Sequence, residues 1–469
     1  MEDSWATLGV DLHLETGGEA TRSGVRKGLT DALREAVRGG RLAPGTRLPS
    51  SRSLAVDLGI ARNTVADAYA DLVAEGWLTA RQGSGTRVAE RAVPRPAEPA
   101  PRRRAVGGPT YDLMPGTPDL ASFPRAEWLK AARRALYAAP NDALGHGDPR
   151  GRIELRTALA DYLSRARGVH ADPGRIVICA GFVHGLVLLG SVLRARGRRE
   201  VAVESYGLDF HWNLLERAGL RTSPLPFDEL GTSTAELGSR AAVKVALLTP
   251  AHQFPMGVPL HPDRRAAAVD WARREGGLIL EDDYDGEFRY DRQPVGALQG
   301  LDPDRVVYLG TASKSLAPGL RLGWMVLPAP LAAEVVEAKG GADLNCGVLD
   351  QLTLAEFITS GAYDRHVRGA RLRYRRRRDQ LVAALAERAP EVRATGIAAG
   401  LHAVLELPPG TERSVVQAAS WQRLAVQGLA GFRHPAARVP ERDALVVGYG
   451  TPPDHAWAGA LEALCRVLP

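Results

Sequence analysis

The stretch that decides the fold is Val306-Val307-Tyr308-Leu309-Gly310-Thr311-Ala312-Ser313-Lys314. It begins as an apolar run typical of a buried strand and ends in small polar residues and a lysine. In an open α/β sheet, ligands bind beyond the carboxyl ends of the strands. A lysine held there can lose contact with water, which lowers its pKa and makes its amine nucleophilic toward an aldehyde. A lysine read alone is usually an ordinary surface lysine.

A second apolar strand, Gly277–Leu280, ends in the acidic run Glu281–Asp283 followed by Tyr284. A carboxylate beyond a strand can keep a pyridinium nitrogen protonated, and a tyrosine can hydrogen-bond a phenolate oxygen. A metal site or a solvated acidic loop explains the same residues when they are read alone.

A third strand, Ile176–Cys179, turns through Gly181 into a helical pattern. Helix N-termini bind phosphate through their free N–H groups, although most turns of this kind are only structural. Hydroxyls at Thr311 and Ser313 and the guanidinium of Arg321 are further groups suited to a phosphate.

Apolar runs of this kind alternate with longer helical patterns from residue 111 to the end of the chain. This alternation predicts an α/β fold with a mostly parallel sheet covered by helices on both faces. The strand-like runs are Arg175–Cys179, Glu200–Val203, Val243–Thr249, Gly277–Leu280 and Arg305–Leu309.

Residues 21–88, here called the head, have a different pattern. Apolar residues at spacing four from Val25 to Val37 predict one helix, and Pro49–Arg52 opens a second. A third begins near Ala61 with a polar start, and strand-like runs flank Gly83–Gly85. Two short helices and a hairpin are typical of a winged helix-turn-helix, but a helix pair of this kind, read alone, fits a generic helical pair inside an enzyme equally well.

The charge distribution and the linker set the domain boundaries. The net charge is +6, and the positive excess lies near the N-terminus. Prolines and arginines between residues 89 and 110 predict an extended linker. We therefore predict an arm at 1–20, the head at 21–88, the linker at 89–110 and a body at 111–469.

The rest of the composition favours a cytoplasmic protein. The three cysteines, Cys179, Cys346 and Cys465, lack metal-ligand spacing and are odd in number, which predicts a reducing compartment and no metal site. Residues 1–10 have no signal-peptide pattern, and no apolar run approaches the ~20 residues of a membrane span.

The head resembles the GntR family through Pro49–Arg52, Ala61–Val65 and Gly83–Thr86. The resemblance implies binding to double-stranded DNA, with phosphate contacts mainly at Arg47, Ser50 and Gly85 and base readout mainly at residues 62–64. The full set of DNA-contacting residues that it implies is Arg47, Ser50, Arg52, Arg62, Asn63, Thr64, Arg81 and Gly85.

The body resembles a fold-type I aminotransferase through Pro115–Asp119, Gly147–Gly151, Thr249–Gly257 and Ser313–Gly323. With the head, the whole chain is similar to the MocR family of regulators, which includes GABA- and pyridoxine-responsive members. The resemblance implies a pyridoxal 5'-phosphate cofactor and a head-to-tail homodimer.

The same resemblance implies a role for individual residues. Lys314 forms the internal aldimine, Asp282 pairs with the ring nitrogen, with Asp283 as the alternative, Tyr284 meets the ring hydroxyl and Tyr206 stacks on the ring. The phosphate and the adjoining loop are assigned to Gly181, Phe182, Val183, Thr311, Ser313 and Arg321.

The chain also departs from the family pattern. His146 stands where a tyrosine normally reaches the neighbouring subunit's cofactor, and the segment after Gly181 is apolar rather than polar. The strand near Val446 lacks the arginine with which many aminotransferases clamp a substrate carboxylate, so Arg433 and Arg438 become candidates for that role. Together with His146, they are the residues we predict to contact the effector. These departures favour a different effector and put ordinary transamination in doubt.

We therefore predict a transcriptional regulator whose DNA binding responds to an amine, an amino acid or a B6 vitamer at Lys314. The alternatives are an active aminotransferase with an accessory DNA-binding head and a sensor of pyridoxal phosphate alone. An arginine-rich run at residues 365–378 predicts a solvated helix face over a buried side at Val367, Leu372 and Leu381, or else a surface for the DNA backbone.

Overall fold

The computed structural model describes residues 22–81, 85–90, 108–290, 295–343 and 345–469. The chain divides into two compact units, residues 1–106 and 107–469. The head lies in the first unit and the body in the second. The predicted arm, residues 91–107 of the predicted linker and the wing tip at 82–84 lie outside the described residues.

The described part of the head consists of helices followed by a hairpin. Its elements are α1 (Arg22–Arg38), α2 (Ser51–Asp57), α3 (Arg62–Ala74), β1 (Leu78–Arg81) and β2 (Gly85–Val88). Helix α2 begins after Ser50 because the Ser50 hydroxyl accepts the Ser53 N–H at 3.1 Å, which satisfies a free donor of the first turn. Strands β1 and β2 pair antiparallel, with Arg81 opposite Gly85. The predicted winged helix-turn-helix is confirmed.

The head has its own apolar core. Leu29 and Leu33 of α1 pack with Leu54, Val65 and Leu72, and all five side chains are fully or almost fully buried. Burial of each such side chain contributes about 1.5–3 kcal/mol, so the head buries enough apolar surface to form its own folded core.

Ion pairs on the surface join α1 to α3. The Arg26 guanidinium bonds Asp71, and that of Arg34 bonds Glu75 at 2.8 Å. Both pairs are partly exposed, so they orient the helices more than they stabilise the fold.

The body alternates strands and helices as predicted. Its described helices are α4 (Arg125–Ala138), α5 (Ile153–Arg167), α6 (Phe182–Ala195), α7 (Asp209–Arg217), α8 (Pro262–Glu275), α9 (Ala329–Ala342), α10 (Val348–Thr359), α11 (Ala362–Arg388), α12 (Glu412–Trp421) and α13 (Asp454–Val467). Its described strands are β3 (Tyr111–Asp112), β4 (Ile176–Cys179), β5 (Glu200–Glu204), β6 (Arg221–Leu225), β7 (Phe227–Asp228), β8 (Gly231–Thr232), β9 (Val245–Leu248), β10 (Leu278–Asp282), β11 (Val306–Thr311), β12 (Gly323–Val326), β13 (Arg393–Thr395), β14 (Ala403–Glu406), β15 (Leu424–Ala425), β16 (Gln427–Gly428) and β17 (Ala444–Val447).

Seven strands form the central sheet in the order β4-β12-β11-β10-β9-β5-β6. Strand β12 is antiparallel to both of its neighbours, so the other six strands run in one direction. Strands β4, β10 and β11 are buried along their length, as expected for a sheet covered on both faces. Because their carboxyl ends meet at one edge, the three motifs of the sequence are brought together there.

A smaller antiparallel sheet, β13-β14-β17-β16, forms near the C-terminal end of the chain. Its apolar face packs on α11 and α13, where Tyr374, Leu381 and Leu464 are buried with Leu405 and Leu445. This cluster holds the C-terminal part of the body together.

Helix α11 contains the arginine-rich run. Val367 and Leu381 are buried, but the prediction that Leu372 joins them is wrong, because Leu372 is 61% exposed. Burial follows the spacing 367, 374, 381, and Leu372 lies off that stripe. Among the described residues, no helix combines the length and the apolar character needed to cross a membrane.

Candidate functional site

The carboxyl ends of β10 and β11 open onto a cavity of about 340 Å³. Its walls hold nine of the ten residues that the sequence assigned to the cofactor, and the tenth, Gly181, precedes Phe182 directly. The nine are Phe182, Val183, Tyr206, Asp282, Tyr284, Thr311, Ser313, Lys314 and Arg321.

Lys314 lies in a position that favours its neutral, nucleophilic amine. Burial lowers the pKa of Lys314, although the nearby Asp282 and Asp285 oppose this shift. The Lys314 ammonium group Nζ donates to the carbonyl of Gly116. Gly116 has a φ of +98°, and a Cβ there would lie 3.6 Å from Nζ.

Asp282 and Asp283 have opposite surroundings. The Asp282 carboxyl lines the cavity, and its buried Oδ1 has no hydrogen-bond partner among the described residues. Burial raises the pKa of Asp282 well above its usual value. Asp283 instead accepts two bonds from Arg167, at 2.7 and 2.9 Å, and one from the Tyr308 hydroxyl at 2.8 Å. Asp282 is thus the carboxylate with capacity left for a ligand.

Tyr284 belongs to a buried polar chain that the sequence did not reveal. Its hydroxyl lies 3.1 Å from His252 Nδ1, and the same nitrogen lies 2.8 Å from Asp285 Oδ2. A Cβ at Gly400 would come within 2.6 Å of that Asp285 oxygen, so a residue without a side chain is required there. His252 lies inside a motif that we quoted, but its spacing did not indicate a partner.

The start of α6 forms the end of the cavity suited to an anion. Gly181 precedes the helix with a φ of +81°, and Arg321 has a φ of +52°, a strained value for a residue with a side chain. The Arg321 guanidinium donates to the Ala180 carbonyl and lies 3.1–3.4 Å from where a Gly181 Cβ would be. Close by, the Thr311 hydroxyl donates to that of Ser313 at 2.8 Å.

Two aromatic pairs contribute side chains to the cavity wall. The ring of Tyr206 packs edge-on against Phe227, and its hydroxyl donates to Pro440 at 3.4 Å. A second aromatic pair at the wall joins Phe182 and His211, with ring centroids 4.7 Å apart. Burial and the charge of Lys314 lower the pKa of His211 to about 4. His211 is therefore neutral at physiological pH, and the sequence analysis missed it.

The residue after the lysine is fixed to the start of α11. The Tyr363 hydroxyl donates to Ser315 Oγ at 2.8 Å, and His366 Nε2 lies 2.7 Å from the Ser315 carbonyl oxygen. The loop that carries Lys314 is thereby connected to the longest helix of the described chain.

The three residues proposed from sequence for the effector lie elsewhere. His146 is exposed beside a second cavity that includes Asp343 and Asn345. Arg433 donates to the carbonyls of its own loop, at Ala437 and Val439, and Arg438 is exposed. The structure does not bring any of the three to the described wall of the Lys314 cavity.

His184, Asp343 and Cys346 form a group whose ligand atoms all lie within 4.8 Å of one another. The sequence did not predict a metal here. Asp343 is already bonded by the buried ammonium group of Lys339 at 2.7 Å, so a metal ion would have to compete with that cation.

The residues predicted to bind DNA lie mostly on the surface of the head. Arg47, Arg52, Arg62 and Asn63 are exposed, and within the described residues the three arginines form no ion pair. Thr64 is 5% exposed, so its side chain packs into the head instead.

Gly85 and Arg47 adjoin each other at the base of the wing. A Cβ at Gly85 would lie 3.3 Å from Arg47 Nε, and Gly85 has a φ of +80°. Ser50 caps α2, and Arg81 ends β1. These placements put the predicted phosphate contacts around the hairpin and the start of α2.

Comparison with known families agrees with this division of the chain. Residues 26–88 match the bacterial regulatory proteins of the gntR family, and residues 113–439 match aminotransferase class I and II. The fold and site therefore define a DNA-binding transcriptional regulator with an aminotransferase-fold body. The aminotransferase class I and II family implies dependence on pyridoxal 5'-phosphate.

Curated relatives identify the family more narrowly. The pyridoxine biosynthesis transcriptional regulator PdxR of Corynebacterium glutamicum is 36% identical over 80% of this chain and 82% of its own. The probable rhizopine catabolism regulatory protein MocR of Rhizobium meliloti is 33% identical over 76% of each chain. The chain belongs to the MocR subfamily of GntR regulators.

Solved structures share the fold of the body. An archaeal alanine:glyoxylate aminotransferase is 25% identical, with a TM-score of 0.69 over 76% of this chain and 90% of its own. The predicted fold class is confirmed.

Proposed function

We propose that this regulator holds pyridoxal 5'-phosphate at Lys314 and changes its promoter binding when an effector amine competes with Lys314 for the cofactor. The observation that carries the proposal is the buried, unpaired Oδ1 of Asp282 in the same cavity as Lys314. An unsatisfied buried carboxylate is costly unless a ligand donates to it, and a protonated pyridine nitrogen is such a donor.

The other cavity residues fit the remaining groups of this cofactor. The start of α6 and Arg321 suit its phosphate, and Tyr284 suits its ring hydroxyl. The lowered pKa of Lys314 raises the fraction of neutral amine, which is the reactive form. When bound, pyridoxal phosphate would supply an aldehyde-level carbon that holds one amine nitrogen at a time. Lys314 would hold this carbon until an effector amine took its place, and the Lys314 amine would then carry the two protons that the effector nitrogen gives up.

For the head, we propose that Arg62 and Asn63 read base edges from the start of α3. Both side chains are exposed, and both residue types are suited to bidentate contacts with purines. Because Thr64 is buried, we do not include it among the residues that contact bases. Arg47, Ser50, Arg52, Arg81 and Gly85 then contact the phosphate backbone.

Replacing Lys314 with alanine tests the proposal. DNA binding is measured on an operator duplex selected by repeated binding to the wild-type protein. Lys314→Ala is expected to lose covalent cofactor and all effector response while binding the duplex as the wild type does. An effector response that persists unchanged in this variant overturns the mechanism.

A second candidate is a working aminotransferase with an accessory head. The similarity of the body to an alanine:glyoxylate aminotransferase favours it. Steady formation of keto acid from a panel of amino donors is the observation that would establish it over a regulator without turnover.

A third candidate is a sensor of pyridoxal phosphate with no amine effector. The relative named for pyridoxine biosynthesis favours it. In that case DNA affinity changes on addition of the cofactor alone and does not change further with amines.

We also propose a cytoplasmic head-to-tail homodimer. Leu129, Leu136 and Tyr137 of α4 are between 54% and 86% exposed, which supports a surface covered by a second copy. The three cysteines are free, which is consistent with a reducing compartment. Light scattering on the purified protein measures the stoichiometry.

A further inference from the structure

The cavity that holds Lys314 has few groups that could neutralise an incoming anion. Among the described residues that line it, the cationic side chains are Lys314 and Arg321, and the acidic ones are Glu204 and Asp282. A buried carboxylate is unfavourable unless a cation or several N–H donors meet it, so this balance restricts which ligands the cavity accepts.

Neither cation is available to a second ligand. Lys314 bonds the cofactor, and once an effector amine displaces it, its burial and lowered pKa favour the neutral amine over a cation. Arg321 lies at the phosphate end, where it donates to the Ala180 carbonyl. Arg433 and Arg438, the other arginines considered for this role, are not among the described residues that line the cavity, and the Arg433 guanidinium donates to the carbonyls of Ala437 and Val439 in its own loop. The part of the cavity away from Arg321, here called the effector end, therefore has no described guanidinium that could bind a carboxylate.

The acidic residues add a repulsive contribution. Glu204 accepts hydrogen bonds from Thr232 at 2.8 Å, from Gln253 at 3.3 Å and from Thr249, so its orientation is fixed. Burial raises its pKa, so Glu204 has a larger neutral fraction than an exposed carboxylate would. In its ionised form it repels a second carboxylate, and in its neutral form it cannot compensate one.

The N-terminus of α7, which follows Leu208 at the cavity wall, is also occupied. Helix α7 follows Leu208, and its first residue, Asp209, accepts the Phe210 N–H at 2.6 Å. A negative side chain in the first turn already interacts with the positive end of the helix dipole. This terminus therefore does not offer an anion site.

Much of the cavity wall is apolar. Phe182, Val203, Leu208, Leu247 and Phe254 line it, and the pair of Phe182 with His211 presents aromatic surface. An apolar body of modest size gains by leaving water for such a surface, at about 25 cal/mol per Å² of apolar area buried.

We propose that the effector read at this cavity is a primary amine with an apolar or aromatic body and no carboxylate. The inference rests on the proposed function, because it names the class of amine that competes with Lys314. An α-amino acid with the same side chain would bring a carboxylate into a site whose described wall has two acids and no available cation.

Matched pairs of ligands test the inference on the full-length, cofactor-loaded protein. Each pair joins an amino acid to its decarboxylated amine, namely phenylalanine with phenethylamine, tyrosine with tyramine and leucine with isoamylamine. The visible absorption of the bound cofactor and heat on titration report binding. Each amine is expected to bind at least about tenfold more tightly than its amino acid, a difference of about 1.4 kcal/mol. An amino acid that binds as tightly as its amine overturns the inference, and so does a loaded protein that responds to no amine.

A variant that adds the missing cation makes the test sharper. Leu208 is 37% exposed at the wall, so Leu208→Arg can place a guanidinium there without filling a closed core. This variant is expected to shift the preference toward the amino acid by at least about tenfold, while the volume-conserving Leu208→Met keeps the wild-type preference. An unchanged preference in Leu208→Arg, with normal cofactor loading, contradicts the inference.

Failure of the inference can be told apart from failure of the proposed function. Borohydride reduction followed by mass measurement shows whether the cofactor is bonded to Lys314, independently of any effector. Without that bond the proposed function fails. With it, a preference for amino acids refutes only the effector class.

Discussion

At the carboxyl end of β10, the two faces of the sheet carry similar charged and polar residues, but the hydrogen bonding of their carboxylates differs. On the cavity face, formed by Asp282, Tyr284 and Lys314, a buried oxygen of Asp282 has no hydrogen-bond partner in the described part of the chain, and the pKa of Lys314 is lowered. On the packed face, formed by Arg167, Glu281, Asp283, Glu287 and Tyr308, each carboxylate accepts hydrogen bonds. Saturated groups stabilise a fold, whereas unsaturated ones are available to a ligand.

The largest expected effect is on the packed face. Asp283→Asn leaves the buried Arg167 guanidinium without its anionic partner, and breaking such a pair costs about 3–5 kcal/mol. Urea unfolding of the cofactor-free protein measures the free energy of unfolding. A change below about 1 kcal/mol would mean that this face is not held by its ion pair.

Glu287 gives the packed face a dependence on pH. Burial raises its pKa to about 7, from an ordinary value of 4.5. The folded state therefore binds a proton that the unfolded state releases, so the contribution of Glu287 is present below pH 4.5 and is lost as the pH rises to 7. Relative to Glu287→Gln, the wild type should lose up to about 1.4 kcal/mol per pH unit in this window. A difference that does not vary with pH would contradict the assigned shift.

On the cavity face, Asp282→Asn is expected to affect the ligand rather than the fold. Loss of a charge-assisted bond to the ring nitrogen should weaken cofactor binding by about ten- to a hundredfold, or about 1.4–2.7 kcal/mol. Removing an unpaired buried acid should leave the unfolding free energy of the cofactor-free protein within about 0.5 kcal/mol of wild type. Cofactor titration followed by absorption measures the first quantity. If Asp282→Asn bound the cofactor with wild-type affinity, Asp282 would not be a cofactor contact, and the proposed difference between the two faces would be contradicted.

The smallest effect is expected at Arg321, where the cavity face is strained. Arg321→Gly relieves a φ of +52°, so the cofactor-free protein should be more stable by about 1 kcal/mol, less the hydrogen bond to Ala180. Cofactor affinity should fall at the same time, because the phosphate loses its guanidinium. Arg321→Lys, which keeps both the strain and a charge, is the matched control in thermal unfolding and cofactor titration. If Arg321→Gly lowered the stability and left the cofactor affinity unchanged, Arg321 would have a structural role and would not be a phosphate contact.

Local patterns predicted much of this arrangement, because the strands and their polar ends are adjacent in sequence. The predicted strand Gly277–Leu280 is observed as Leu278–Asp282, so the acidic run partly belongs to the strand. Alternation along a strand places Asp282 and Asp283 on opposite faces but does not tell which one meets the cavity. That choice depends on Arg167, which lies 116 residues away in sequence.

Other features depend on equally distant contacts. The chain of Tyr284, His252 and Asp285 requires the close approach of Gly400, from a part of the body that folds against it. Thr64 looked exposed in a polar triplet, but it occupies the turn of α3 that faces the head's core. Sequence patterns assign residues to elements, whereas such side-chain environments follow from tertiary packing.

The attachment of Ser315 to α11 has a mechanical consequence. At 1.5 Å per residue, the 27 residues of this helix form a rod about 40 Å long. Tyr363 and His366, which contact Ser315, lie in the first turns of the helix, so the loop is attached near one end of α11. A tilt of about 5° at that tip displaces the distant end, near Arg388, by about 3.5 Å. A small change of angle at the loop that carries Lys314 is thereby magnified to a displacement of about 3.5 Å at the far end of α11.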